Sequence, residues 1–148
     1  MTYAIAKYFL ILPLILATFS SKGQQSPDNT IGNCDLLLSD EYVSSGQEYF
    51  ADLNKNNKAT FYATFYGGSQ YRIVACTNIK KHKLVLNIYD TEKNLLFSNK
   101  NYDYTPYWNL AFTSTVDCII ELKIKAKKHI KKPVKLLIGF KEKSNYLN

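Results

Sequence analysis

Few residues in this chain could do chemistry, and their neighbours argue against it. Both histidines lie in lysine-rich stretches, His82 in KKHK and His129 in KKHIKK. A metal ligand needs a neutral imidazole beside thiolate or carboxylate partners, whereas flanking cations repel a metal ion. No H-x-x-x-H or C-x-x-C spacing occurs. Both histidines therefore read as solvated loop residues, and no metal or other cofactor is expected.

Nucleophilic chemistry has equally little to work with. Ser69 follows Gly67-Gly68 in Y-G-G-S-Q-Y, which lacks the G-x-S-x-G elbow of a catalytic serine. Asp40/Glu41 and Asp90/Glu92 stand beside turn residues, where acids are ordinary. Glycoside hydrolysis instead needs two carboxyls about 5–9.5 Å apart in a cleft. Asp103, with Asn99 and Asn101, makes only a thin oxygen set for Ca²⁺. The chain reads as a protein without catalytic residues.

Binding chemistry is better represented. Thr60, Tyr62, Thr64 and Tyr66 alternate with Ala59, Phe61, Ala63 and Phe65, and Arg72 holds the matching outward phase of the next segment. Tyr62, Tyr66 and Arg72 are thus candidates for one aromatic face, with Tyr102, Tyr104 and Trp108 as a second aromatic group. Such rings stack on sugars or anchor a protein surface. Trp108 reads more as core. Lysine-rich loops supply Lys80, Lys81, Lys83, Lys127, Lys128, Lys131 and Lys132, which suit anionic envelope or glycan surfaces. From Gln24 to Asn78 three basic residues face six acids, whereas from Ile79 onward fourteen lysines face six acids.

Compartment follows from the first residues. Lys7 precedes an almost unbroken apolar run from Tyr8 to Phe19, and Ser20-Ser21-Lys22-Gly23 follows. That is the layout of a signal peptide over residues 1–23. The run, broken by Pro13, is too short for a bilayer core needing roughly 20 apolar residues, so no transmembrane anchor is expected after cleavage. Export to the periplasm or beyond makes nucleic acid an unexpected partner. It also favours a disulfide among Cys34, Cys76 and Cys118. Spacing leaves all three pairings open. Cys118 keeps step with Ile120, Leu122 and Ile124, while Cys76 keeps step with Arg72 on the other face; this phase favours Cys34–Cys76.

The elements that would carry these residues are short strands. Residues 24–32 read as a flexible segment, 33–143 as a single domain and 144–148 as a tail. Asn33 or Asp35 could cap a short helix over Leu36–Val43, stopped at Gly46. Gln47–Leu53 reads as an edge strand. Ala59–Tyr66 and Tyr71–Cys76 read as two strands folded back on each other around Gly67-Gly68, where positive φ is needed. Leu84–Tyr89 and Leu95–Ser98 form a second hairpin. Asn99–Pro106 reads as an exposed loop, and Tyr107–Thr113 puts Trp108, Leu110 and Phe112 on one face. Asp117–Lys125 and the strand ending near Phe140 flank a charged hairpin loop, Ala126–Lys132. Gly139 marks a bulge or the close approach of a neighbour. Seven or eight such strands without a βαβ rhythm predict an all-β, antiparallel, jelly-roll-like sandwich.

Four stretches carry a resemblance: TFYGGSQYRIVAC (Thr64–Cys76), LNIYDTEKNLLFSN (Leu86–Asn99), YWNLAF (Tyr107–Phe112) and KLLIGFK (Lys135–Lys141). The pattern resembles small exported bacterial β-sandwich proteins, themselves similar to pre-peptidase C-terminal-type domains. The resemblance implies a jelly-roll-like sandwich acting as a non-catalytic or substrate-contacting unit. No acidic cluster here matches the Ca²⁺ sites of some such domains. The expectation is an exported, non-catalytic binding or envelope-associated protein for carbohydrate or protein surfaces. The alternative is a charge-driven binder of anionic surfaces, and a secreted hydrolase or its accessory stands third.

Overall fold

The computed structural model describes residue 31 and residues 33–142. The expected signal peptide, the flexible segment apart from Ile31, and the 144–148 tail lie outside the described residues. Among the described residues there are eight strands: β1 (Val43–Asp52), β2 (Lys58–Phe65), β3 (Ser69–Thr77), β4 (Leu84–Asp90), β5 (Leu95–Ser98), β6 (Tyr107–Ala111), β7 (Val116–Ile124) and β8 (Pro133–Glu142). They form two four-stranded antiparallel sheets, ordered β1-β8-β3-β6 and β2-β7-β4-β5. This alternation of successive strands between sheets is the jelly roll expected from the sequence.

Period-two patterning builds the core. Phe61 and Phe65 of β2, Ile120, Leu122 and Ile124 of β7, and Leu86 and Ile88 of β4 meet Tyr71, Ile73, Val134, Leu136 and Ile138 of the other sheet. Each such side chain contributes about 1.5–3 kcal/mol by leaving water. Cys118 faces this core as its phase predicts, and is buried. β4 and β5 pair as the expected hairpin, with a bulge opposite Tyr89.

Three expectations are corrected. β2 and β3 are not a hairpin: β2 pairs with β7, and β3 with β8 and β6. The chain crosses from one sheet to the other at Gly67-Gly68. A Cβ on Gly67 would lie 2.8 Å from the Ser114 Cα and 2.9 Å from the Thr113 carbonyl oxygen. Only glycine lets this corner pass the β6–β7 corner, and Gly68, at φ +83°, donates its N–H to Phe112 O. Phe65 and Tyr71 therefore face each other across the core, ring centroids 4.8 Å apart. Alternation sorts side chains by face and is silent about which strand lies alongside.

For the same reason residues 126–132 join two sheets and are not a hairpin loop, since β7 and β8 do not pair. The helix expected over Leu36–Val43 is absent. A single 3₁₀ turn, Asp35–Leu37, follows Cys34, and β1 already begins at Val43. Two of the three leucines serve packing instead: Leu37 and Leu38 lie with Cys34, Cys76, Val74 and Leu137 in a second cluster on the outer face of the β1-β8-β3-β6 sheet, while Leu36 is exposed. The Cys34–Cys76 disulfide staples this N-terminal strap to β3, the pairing that strand phase favours. Gly139 admits the close approach foreseen for it, because a Cβ there would lie 2.7 Å from the Leu38 Cδ1.

Candidate functional site

The catalytic candidates are dispersed. His82 and His129 are exposed on different loops, β3–β4 and β7–β8. Glu41 binds Lys141 at 3.0 Å, and this hydrogen bond holds its carboxyl below the usual range. Asp90 is likewise held low by hydrogen bonds from Asn94, which close the β4–β5 turn. Asp103 pairs with Lys83 at 3.0 Å. Burial, then the charges of Asp90 and Asp117, push the Cys118 thiol up to about 11. Among the described residues no three His, Cys, Asp or Glu side chains gather as a metal would require.

The expected aromatic face is divided by the fold. Tyr62 and Tyr66 are exposed on β2 and just beyond it, whereas Arg72 lies on the outer face of the opposite sheet. There Arg72 stacks between Tyr42 and Tyr107, at 4.7 and 5.0 Å from their centroids. Its Nε donates to Asn109 Oδ1 at 2.8 Å, and Nη1 to the carbonyls of Leu37 and Leu38. Arg72 is thus spent on holding the strap. Tyr62 instead heads a cross-strand row that the sequence did not single out: Tyr62 opposite Ile119, Ile119 opposite Tyr89, Tyr89 opposite Leu95. Register was the missing signal. Beside β2 lies a cleft of about 900 Å³ whose lining includes Tyr49, Tyr62, Tyr66, Tyr71, Ser69 and Phe140. Its one acid, Asp117, accepts a 2.6 Å hydrogen bond from Thr64, so it holds no pair of proton donor and acceptor carboxyls.

Tyr102 and Trp108 lie together, ring centroids 4.1 Å apart, and Phe97 stacks on both. This cluster joins the edge strands β5 and β6. Trp108 is half-buried, and Tyr102 keeps an exposed flank. Asn99 is a surprise in the stretch expected as exposed loop: it is buried, accepts from the Leu86 N–H and donates to the Leu84 and Thr105 carbonyls. Tyr104, positioned by this anchored turn, lies under Lys83, whose Nζ is 4.6 Å from the ring centroid.

Charge is what the topology concentrates. Registers Asp52 with Pro133, Lys58 with Lys123, Thr77 with Val134, Leu84 with Ile124, Asn87 with Ser98 and Val74 with Tyr107 put the β1–β2, β3–β4, β5–β6 and β7–β8 connections at one end of the sandwich. Twelve of the nineteen lysine and arginine residues lie at that end, from Lys55 and Lys58 through Lys80, Lys81, Lys83 and Lys100 to Lys123–Lys132, facing only Asp52, Asp103 and Glu121. Every lysine proposed from the loops is brought there: Lys80, Lys81, Lys83, Lys127, Lys128, Lys131 and Lys132. The opposite end includes Asp90, Glu92 and Asp117 with Lys93, and the Glu41–Lys141 pair.

Asn57 fixes the centre of the basic end. It is buried at φ +56°, a conformation asparagine tolerates. Its Nδ2 donates to the carbonyls of Ala126 and Lys128, and its Oδ1 accepts from the Ile130 N–H at 2.7 Å. The β7–β8 loop is thereby pinned to the β1–β2 turn. In the sequence Asn57 is only the last member of a turn cluster.

In comparisons with known proteins, no protein-family model and no curated protein matches this chain.

Proposed function

We propose that this is an exported, non-catalytic binding protein whose basic end engages acidic polysaccharide. The observation that carries the reading is the gathering of twelve lysines at one end by four loops that are far apart in sequence. A surface of one sign attracts a polymer of the other and raises its local concentration. Tyr102 and Tyr104 stand among these lysines, and their rings suit sugar faces. Large exposed aliphatic side chains, which a membrane-binding surface would bury in lipid, occur elsewhere: Leu36, Val43, Leu95 and Leu96. The likeness to pre-peptidase C-terminal-type domains belongs to the same proposal, as does the signal peptide.

The row Tyr62–Ile119–Tyr89 supports a second reading, a platform for neutral carbohydrate. One experiment separates the two. The protein is passed over immobilised alginate or heparin and over cellulose, then eluted with rising salt. Retention on the acidic matrices with release by salt supports the basic end. Salt-resistant retention on cellulose, lost in a Tyr62→Ala/Tyr89→Ala variant, would transfer the function to the aromatic row. Equal binding to anionic vesicles and alginate would overturn the choice of polysaccharide over membrane.

A further inference from the structure

The basic end is not a uniform field of lysines. Between the β1–β2 turn and the β7–β8 loop lies a notch of about 460 Å³, whose lining includes Lys55, Lys58, Lys123, Lys127, Lys128 and His129 beside Asn57, Glu121 and Ala126. We propose that this notch is a subsite for a single oxyanion group, the sulfate or carboxylate borne by one unit of the polymer. The proposal rests on the reading of the basic end given above and specifies where that end is selective.

Three observations support it. Lys58 and Lys123 are directly opposite each other across the β2–β7 pair, an arrangement of like charges that destabilises a sheet unless something intervenes. Glu121 answers only part of this repulsion, through its 3.0 Å pair with Lys58. An anion held between the two ammonium groups would remove the remainder.

The second observation is rigidity. Asn57 bonds the backbone at Ala126, Lys128 and Ile130, and its own carbonyl accepts from the Ile124 N–H at 2.9 Å. On the other wall, Asn54 Oδ1 accepts from the N–H groups of Asn56 and Lys58. Both walls are therefore set before a ligand arrives, so less ordering is lost on binding.

The third is the chemistry of the lining. Ala126 is its one apolar side chain and no Phe, Tyr or Trp ring lines it, so it offers no broad aromatic platform for a sugar face. What it offers is charge-assisted hydrogen bonds, which are strong to oxyanions.

The test uses the whole protein, inorganic sulfate and a sulfated polysaccharide. Backbone amide NMR shifts are followed on adding sulfate against chloride at matched ionic strength. The expected result is saturable perturbation confined to residues 55–58 and 123–130. A Lys123→Ala/Lys128→Ala variant, with both changes on exposed side chains, should lose it and should weaken polymer binding about tenfold. A Lys80→Ala/Lys81→Ala variant should weaken polymer binding several-fold less. Perturbation spread evenly over all lysine loops, or equal losses in the two variants, overturns the subsite while leaving the acidic-polymer reading in place. Localised sulfate binding without any polymer binding overturns the polymer as its source and leaves a site for a free oxyanion.

Discussion

Lys135 Nζ lies 2.9 Å from Oδ1 of Asp35, a residue one hundred positions earlier. Lys135 has only 4% of its side chain exposed, whereas Asp35 has 67%. Glu48 completes the group at 3.3 Å, and the Phe50 ring lies 5.2 Å from the ammonium. A lysine whose phase on β8 points to water is buried because the N-terminal strap covers that face. The strap is thus held by the disulfide, Arg72, this ion group and the Glu41–Lys141 pair.

The asymmetry of exposure decides what mutations do. Lys135→Met leaves two carboxylates that water can reach and should change stability by no more than about 1 kcal/mol. Asp35→Asn with Glu48→Gln leaves a buried cation unpaired and should cost about 3 kcal/mol. Urea denaturation of both variants checks the order, and the reverse order would refute the account.

The pH dependence has a definite sign. Burial lowers the Lys135 pKa, but the hydrogen bonds and charges of Asp35 and Glu48 outweigh it and raise the value above the ordinary 10.5. The pairing therefore stabilises fully below pH 10.5, and that contribution is lost as pH rises through the higher folded-state value. Thermal melts of the wild type and Lys135→Met should keep a constant gap up to about pH 10 and converge above it.

Thiol chemistry separates the three cysteines. Cys118 is buried with its thiol raised to about 11, so Ellman's reagent at pH 8 should find no reactive thiol in the native protein and one after denaturation. Cys34→Ser/Cys76→Ser opens a loop of 42 residues and should cost about 4 kcal/mol on the chain-entropy account. A loss near zero would mean that Arg72, Lys135 and Lys141 hold the strap unaided.

Gly139→Ala tests the packing beneath the strap. Its Cβ would meet the Leu38 Cδ1 at 2.7 Å and the Tyr42 Cβ at 3.0 Å. The leucine methyl can swing aside, but the Tyr42 Cβ cannot move without its backbone. The expected cost is about 1–3 kcal/mol by denaturant titration.

Polymer retention should follow ionic strength. As salt rises from about 0.1 M to about 1 M the Debye length falls from about 10 Å to about 3 Å, and the protein should elute from alginate within that range. Changing Lys127, Lys128, Lys131 and Lys132 to Ala should lower the eluting salt concentration. No change would remove the β7–β8 loop from the binding surface.

Strands, their in-and-out phase and the sandwich class were legible in the sequence because period-two alternation is a local property. Cys118 in step with Ile120 and Leu122 and the β4–β5 hairpin around Asp90–Asn94 come from neighbours in the chain, whereas the side chains that crowd Gly139, Leu38 and Tyr42, come from the far N-terminal strap. The favoured Cys34–Cys76 pairing came from the same phase argument. Partner choice between strands is a long-range matter, and so β2 and β3, adjacent in sequence and matched in pattern, were read as a hairpin although they lie in opposite sheets. That one difference separates Tyr62 from Arg72 and dissolves the expected aromatic face. The lysines were visible as separate runs, but only the jelly-roll connections bring the β1–β2, β3–β4, β5–β6 and β7–β8 loops to one end. Burial of Lys135 and Asn57 likewise depends on segments that return from far along the chain, so only the tertiary structure could decide it.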